Sequence, residues 1–152
     1  MENPGQDVNE RNRASMDRLR YVAARLSEDE LLLPIDPPWT TSALYAHIAF
    51  WDRFAHARWM HTVTTGSRTP LPIEDDPLEL VNEGGLPGWT ATPPRVAIEQ
   101  CLDAAEAVNR FLASLDEDTV SEVVRSGRER LANRSLHRGE HLRTIEQAFA
   151  KL

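Results

Sequence analysis

Residues 40–63 read TTSALYAHIAFWDRFAHARWMHTV and contain neither glycine nor proline. Apolar side chains recur in this stretch every three or four positions, as they do in an amphipathic helix. The resulting stripe consists of Leu44, His47, Ile48, Trp51, Phe54 and Ala55. Thr40 and Thr41 are both favourable N-cap residues, and Gly66 follows the end of the pattern. The segment therefore predicts a long helix with one buried face.

Three further segments show helical spacing of their apolar residues. The first runs from about Val8 to Leu26, the next from Thr92 to Leu115, and the last from about Arg130 to Phe149. Thr92 is placed to cap its helix, with Pro93 in the first turn. Together with residues 40–63, these segments predict four long helices around one core.

The connecting segments are rich in proline, glycine and short capping signals. Residues 27–30 form a capping box that opens a short turn, and a short helix is expected around Val120. Residues 34–38 are expected to be extended, because each proline restricts the residue before it. The 27 residues from Gly66 to Thr92 are expected to hold one short helix, from Asp76 to Val81. No strand alternation or hairpin signal occurs, so we predict an all-α fold.

Length and composition are those of one ordinary globular domain. Of 152 residues, 41% are hydrophobic and 27% are charged, and we expect one domain over residues 1–152 with residues 1–7 as a flexible tail. A formal net charge of −7 argues against nucleic acid and anionic membrane surfaces as partners. Cys101 has no second cysteine with which to pair, and we expect it to be a small buried hydrophobe. With no signal segment or membrane span in the sequence, we expect a cytoplasmic location.

The five histidines are the candidate metal ligands, because imidazole is the commonest ligand for metals in proteins. His137 and His141 are four residues apart, so both rings lie on one face of the last helix. A third ligand has to come from another element. His47 lies in the buried stripe of the second helix, whereas His56 and His61 fall outside it.

Three neutral imidazoles buried in an apolar bundle would leave polar atoms without partners, at about 1–3 kcal/mol each. A divalent ion would remove that cost, and helical bundles build metal sites from inward side chains in this way. Three protein ligands leave one position for water or substrate, as in catalytic zinc sites. The alternative is that these histidines are ordinary core or surface residues.

Several other side chains allow two interpretations each. Glu140 is either a general base or ligand, or a carboxylate paired with an arginine on a neighbouring turn, which we favour. The arginines of residues 125–143, including Arg138, either bind carboxylates of a ligand or pair with the acidic excess, which we favour. Trp51 either lines a cavity or packs in the core. Trp89 either covers the site or anchors the long connection.

Two motifs resemble the DinB-like family of metal-binding four-helix bundles. They are Trp39-Thr40-Thr41 followed by Ala46-His47-Ile48-Ala49-Phe50-Trp51-Asp52, and Leu136-His137-Arg138-Gly139-Glu140-His141-Leu142 followed by Ile145-Glu146. The resemblance extends from about residue 13 to the C-terminus. It implies an up-down-down-up bundle with a long crossover between the second and third long helices, which the connection from Gly66 to Thr92 fits.

Members of this family bind a divalent ion, often zinc or nickel, through three histidines, which would be His47, His137 and His141 here. Some members are transferases or isomerases that depend on mycothiol, bacillithiol or glutathione. The resemblance thus implies a metal-dependent enzyme that uses a thiol such as mycothiol against a small electrophile. The alternatives are a metal-dependent hydrolase and a non-catalytic bundle that binds a metal or small ligand.

The resemblance also bears on ligand identity and assembly. In mycothiol-dependent maleylpyruvate isomerases the metal set resembles one histidine with a Glu-x-x-x-His pair, and this chain has His137 in place of that glutamate. The family often forms dimers. We therefore expect a homodimer, with Trp59 and Met60 as candidate exposed contacts.

Overall fold

The computed structural model describes residues 4–73 and 75–152. In chain order its elements are α1 (Pro4–Arg25), α2 (Glu28–Leu31), β1 (Pro34–Asp36), β2 (Trp39–Thr40), α3 (Thr41–Thr64), α4 (Asp75–Ala91), α5 (Pro94–Ala113), α6 (Glu117–Arg125), a 3₁₀-helix (Glu129–Leu131) and α7 (Ser135–Ala148). The described chain is mostly helical, as the all-α prediction requires. Helix α1 begins at Pro4, within the segment that we expected to be a tail, and residues 1–3 lie outside the described residues.

Two helix starts follow the capping signals of the sequence. Thr40 caps α3, since its Oγ1 accepts the backbone N–H of Ala43 at 3.0 Å. The capping box before α2 is complete. Ser27 Oγ accepts the N–H of Glu30 at 3.1 Å, and Glu30 Oε1 accepts the N–H of Ser27 at 3.0 Å. These local bonds place α3 where the sequence predicts it.

Residues 34–40 form a small hairpin that the sequence analysis did not predict. Strands β1 and β2 pair antiparallel, with Pro34 opposite Thr40 and Asp36 opposite Trp39. The turn between them contains a cis Pro37–Pro38 bond. This turn lacks the Asn-Gly or Asp-Gly signature of a tight hairpin. For that reason the prolines of residues 34–38 predicted only an extended segment.

Helix α4 is longer than predicted and occupies most of the long connection. It continues to Ala91, past the expected end at Val81 and through Gly84, Gly85 and Pro87. These residues lower helix propensity, but tertiary packing overrides propensity where a helix has a buried anchor. That anchor is Trp89, whose side chain is 9% exposed.

The starts of α5 and α7 also differ from the prediction. Thr92 does not cap α5, because its Oγ1 donates to Gly88 O at 2.8 Å on the preceding helix. Helix α7 begins at Ser135 rather than near Arg130. Asn12 Oδ1, on α1, accepts the N–H groups of Arg134 (2.8 Å) and Ser135 (3.2 Å). A cap donated by a distant helix leaves no local signal in the sequence.

A buried polar layer divides the hydrophobic core into two parts. One part includes Leu19, Tyr45, Ile48, Cys101 and Ile145. The other includes Val8, Trp59, Val108, Leu112 and Val123. The polar side chains Asn12 and Ser15 on α1, Asp52 on α3 and Arg138 on α7 lie between the two parts along their helices.

Arg138 connects three helices within this layer. It donates to the backbone oxygen of Asn12 and to Ser15 Oγ on α1, both at 3.0 Å, and to Asn109 Oδ1 on α5 at 2.9 Å. Helix α3 packs against α4, α5 and α7, and α1 packs against α5, α6 and α7. The up-down-down-up order of helix directions stays a prediction. None of the described helices combines the length and apolar character needed to cross a bilayer.

Candidate metal centre

Three histidine side chains from two helices meet between α3 and α7. His137 Nε2 lies 3.1 Å from His47 Nε2 and 3.1 Å from His141 Nε2. A nitrogen from each of the three rings lies within 4.8 Å of the other two. His137 and His141 project from successive turns of α7, as their spacing predicts. The structure therefore brings together the three histidines that the sequence analysis selected.

The surroundings favour the neutral form of all three imidazoles. Burial lowers the pKa of His47 from 6.5 to about 3, with a further contribution from His141. Burial also lowers the pKa of His137, as does the positive charge of Arg134. The pKa of His141 is lowered by burial, against an opposing effect of Glu140. Neutral imidazole is the form that binds a metal ion, so these rings need not lose a proton to do so.

The nitrogens of this three-His cluster (His47, His137 and His141) are difficult to satisfy without a cation. His137 Nε2 faces Nε2 of His47 and Nε2 of His141. Whether His137 Nε2 donates or accepts, it can form a good hydrogen bond with only one of these two nitrogens. Metal–nitrogen bonds of about 2.0–2.1 Å around a tetrahedral ion place neighbouring nitrogens roughly 3.3 Å apart, close to the two separations of 3.1 Å from His137 Nε2. Three imidazoles suit zinc, nickel, copper or iron. The cluster could therefore hold a metal ion.

Aromatic side chains pack around the ring of His47. Nδ1 of His47 and Nδ1 of His137 are buried without a hydrogen-bond partner among the described residues. The ring centroids of Trp89, Trp39 and Trp51 lie 5.0, 5.2 and 6.4 Å from that of His47, all edge-on. These indoles wall one side of the cluster with apolar surface.

A cleft of about 960 Å³ opens beside the cluster. Its lining includes Trp51 and Phe54 of α3, and Asn82 and Leu86 of α4. Trp51 Nε1 donates to Asn82 Oδ1 at 2.8 Å, which joins the two walls. The volume suits a small-molecule ligand. Trp51 therefore lines a cavity, which was one of its two interpretations.

Trp89 anchors α4 next to the cluster. Its indole stacks on Trp39 with ring centroids 6.0 Å apart and meets His47 edge-on. A Cβ at Gly85 would overlap the Trp89 ring, whereas nothing lies within 4 Å of a Cβ built at Gly84. The absence of a side chain at Gly85 thus makes room for Trp89.

A buried ion network holds α7 against α3. Asp52 Oδ2 accepts Arg138 Nε at 2.9 Å, and Asp52 Oδ1 accepts Arg134 Nε at 2.8 Å. Arg134, at the N-cap of α7, and Arg138, within it, lie on either side of His137 in the chain, and Asp52 lies five residues after His47 on α3. The network therefore positions both helices that carry the histidines. For these two arginines the favoured interpretation, pairing with acidic residues, is confirmed.

Glu140 pairs with an arginine, as favoured, but the partner is Arg130 rather than a residue on a neighbouring turn of α7. Arg130 lowers the pKa of Glu140 through this bond. The Glu140 carboxylate is therefore bound by Arg130 rather than directed at the cluster.

The remaining candidates lie away from the cluster. His56 packs against Phe111, with ring centroids 5.5 Å apart. Cys101 is fully buried, and burial raises the pKa of its thiol, which confirms it as a core residue. The prediction that Trp59 is exposed was wrong. It is 1% exposed, and its Nε1 donates to Leu131 O at 2.8 Å. Met60 is 47% exposed.

Neither Asp52 nor Arg58 was assigned a role from the sequence. A signal for Asp52 was present, because it lies four residues after Ile48 on the buried side of its helix. Arg58 lies four residues after Phe54 on the adjoining face, which lines the cleft. For Asp52 the signal does not identify the partners, since Arg134 and Arg138 lie more than 80 residues away in the chain.

Comparison with protein families matches residues 11–150 to the DinB superfamily. No curated protein and no solved structure matches the chain. The matched range includes His47, His137 and His141 and covers nearly all of the sequence. The chain therefore belongs to the DinB superfamily.

Proposed function

We propose that this chain is a metal-dependent enzyme in which His47, His137 and His141 hold a divalent ion, zinc or nickel, through Nε2. The observation that carries the proposal is the convergence of three neutral imidazole nitrogens beside a cleft of about 960 Å³. Three protein ligands leave a coordination position for a thiol, water or substrate, as in catalytic sites.

When bound, the ion supplies Lewis acidity and lowers the pKa of a coordinated thiol or water. The protein supplies position and surroundings. Trp39, Trp51 and Trp89 keep apolar surface around His47, which weakens competition from bulk water and strengthens electrostatic interactions in the site. The Asp52 network holds α7 at a fixed distance from α3, so the ligand nitrogens stay preorganised.

Thiol-dependent transfer or isomerisation, with mycothiol or a similar thiol, is the preferred chemistry. Hydrolysis at such a site is faster when a general base takes a proton from water. Glu140, the carboxylate next to His141 in the chain, is held by Arg130. A low-molecular-weight thiol brings its own nucleophile and needs only a lowered thiol pKa.

The first test is elemental analysis of untagged protein purified without chelator. We expect about one zinc or nickel ion per chain. An ion-free protein that also takes up none when soaked with zinc, nickel or manganese would overturn the proposal.

The second test separates the chemistries. Zinc-loaded protein is incubated with small electrophiles and mycothiol, bacillithiol or glutathione, with His47→Ala as the metal-deficient control. Conjugation or isomerisation that needs both metal and thiol supports the proposal. Turnover without thiol indicates a hydrolase, and bound metal without any turnover indicates a non-catalytic binding module.

The homodimer stays a prediction. Burial of Trp59 removes one of its two candidate contacts and leaves Met60. Light scattering coupled to size-exclusion chromatography measures the mass directly, and a homodimer would have twice the 17.2 kDa of one chain.

A further inference from the structure

The cleft runs along α3 and has two chemically different ends. His47, Trp51, Phe54 and Arg58 all line it, because their spacing of three or four residues places them on one face of the helix. His47 and Arg58 are eleven positions apart, so about 16 Å separates them along the helix axis. The three-His cluster lies at one end of this cleft and Arg58 at the other.

Two arginines, Arg58 and Arg128, bind the same short segment of chain at the Arg58 end of the cleft. Arg58 Nη2 donates to the backbone oxygen of Leu71, and Arg128 Nη1 donates to that of Pro70. Arg128 Nη2 also donates to Thr69 Oγ1 at 3.3 Å. Both guanidiniums therefore bind one segment of three residues, 69–71. In agreement, burial and the charge of Arg128 both lower the pKa of Arg58.

These two guanidiniums differ from the other arginines of the cleft. Arg130 pairs with Glu140, and Arg134 pairs with Asp52. Among the side chains that the structure describes, which do not include those of residues 74–76, neither Arg58 nor Arg128 forms an ion pair.

Both guanidiniums keep hydrogen-bonding capacity for a ligand. Each carries five N–H donors, of which the contacts to the 69–71 segment use one for Arg58 and two for Arg128. Arg58 and Arg128 therefore place two positive charges in a cleft whose lining also includes Glu79, Glu83 and Glu129.

We propose that Arg58 and Arg128 bind an anionic group, a carboxylate or a phosphate, of an elongated ligand whose other end lies at the three-His cluster. Guanidinium forks bind both of these oxyanions in a bidentate manner. The Trp51 and Phe54 side chains supply apolar surface between the two ends. The anion site stands on its own contacts, whereas its connection to the cluster rests on the proposed metal function.

The anion site is tested on metal-free protein. Inorganic phosphate and acetate are titrated separately at constant ionic strength, and binding is followed by NMR of the arginine Nε–Hε groups. Arg58→Gln and Arg128→Gln are compared with Arg53→Gln, which removes the same charge from an exposed position of α3 outside the cleft. Arg58→Lys retains the charge without the fork, in case a neutral variant folds poorly.

Saturable binding that weakens at least tenfold in Arg58→Gln and Arg128→Gln, but not in Arg53→Gln, is the expected result. The better-bound anion identifies whether the site prefers phosphate or carboxylate. Binding that does not saturate, or that weakens equally in Arg53→Gln, would overturn the proposal.

The connection to the cluster is tested on zinc-loaded protein with 11-mercaptoundecanoate and 11-mercaptoundecanol, which are long enough to span the cleft and differ only at the end remote from the thiol. We expect the carboxylate to bind about tenfold more tightly, and Arg58→Gln to lose that preference while its zinc content is unchanged. Zinc binding without this preference would refute the connection. Failure to bind zinc would refute the proposed metal function, while the phosphate and acetate result still decides the anion site.

Discussion

Asp52 of α3 and Arg138 of α7 form an ion pair in which neither side chain is exposed to solvent, with Arg138 Nε 2.9 Å from Asp52 Oδ2. Arg134 occupies the other carboxylate oxygen. One buried carboxylate thus faces two guanidiniums beside His137. Since burying an unpaired charge is costly, the packing of α7 on α3 depends on this carboxylate.

Replacing the carboxylate tests this dependence. Asp52→Asn leaves Arg134 and Arg138 without a counter-charge, and we expect the free energy of unfolding to fall by about 3–5 kcal/mol. The measurement is urea denaturation followed by circular dichroism. Asp103→Asn, at an exposed position on α5, is the matched control and should change stability by less than about 0.5 kcal/mol. An equally small effect at Asp52 would contradict the network's role.

Two adjacent glycines of α4 should respond oppositely to alanine. A methyl group at Gly85 would overlap Trp89, which is held against Trp39 and His47, so Gly85→Ala should destabilise by about 1–3 kcal/mol. A methyl group at Gly84 meets nothing within 4 Å, so Gly84→Ala should stabilise by roughly 0.5–1 kcal/mol through helix propensity. Thermal or urea denaturation gives both values. If both variants change the free energy of unfolding in the same direction, the packing of Trp89 against Gly85 described above is wrong.

The metal-free protein should lose stability as the pH falls below about 6.5. Burial lowers the pKa of folded His47 to about 3, from an ordinary value of 6.5 that the unfolded chain retains. Between these values the unfolded chain binds a proton that the folded chain does not, so acid favours unfolding. At pH 5 the loss is about 2 kcal/mol for this residue, at 1.36 kcal/mol per pKa unit. The lowered pKa values of His137 and His141 act in the same direction.

Urea denaturation at pH 7 and pH 5, with chelator present, measures this effect. His47→Gln should lose about 2 kcal/mol less than wild type between the two pH values. His61→Gln, at an exposed position of the same helix, should lose as much as wild type. If His47→Gln and wild type lose equal stability, His47 does not remain neutral in the folded protein.

Features of the chain with local causes were predictable from the sequence. Thr40 and the Ser27–Glu30 capping box start helices through bonds that span three residues. The two-faced periodicity of residues 40–63 directs His47 inward, and the spacing of His137 and His141 puts them on one face. Two helices packed on one core then suffice to bring the three rings together.

Features with distant causes were not predictable. The cap of α7 comes from Asn12, more than 120 residues away in the chain. The continuation of α4 past Gly85 and Pro87 depends on the site that Trp89 finds beside His47. Single-sequence patterns record propensity and periodicity, and neither of these identifies a tertiary partner.

The metal assignment is tested most directly by scanning all five histidines. Zinc binding to metal-free wild type and to each single His→Ala variant is measured by competition with a chromophoric chelator. We expect affinity to fall at least about 100-fold for His47→Ala, His137→Ala and His141→Ala. His56→Ala and His61→Ala should match wild type. Undiminished zinc binding in any of the first three variants, or an equal loss in the last two, would contradict a site built from the three-His cluster.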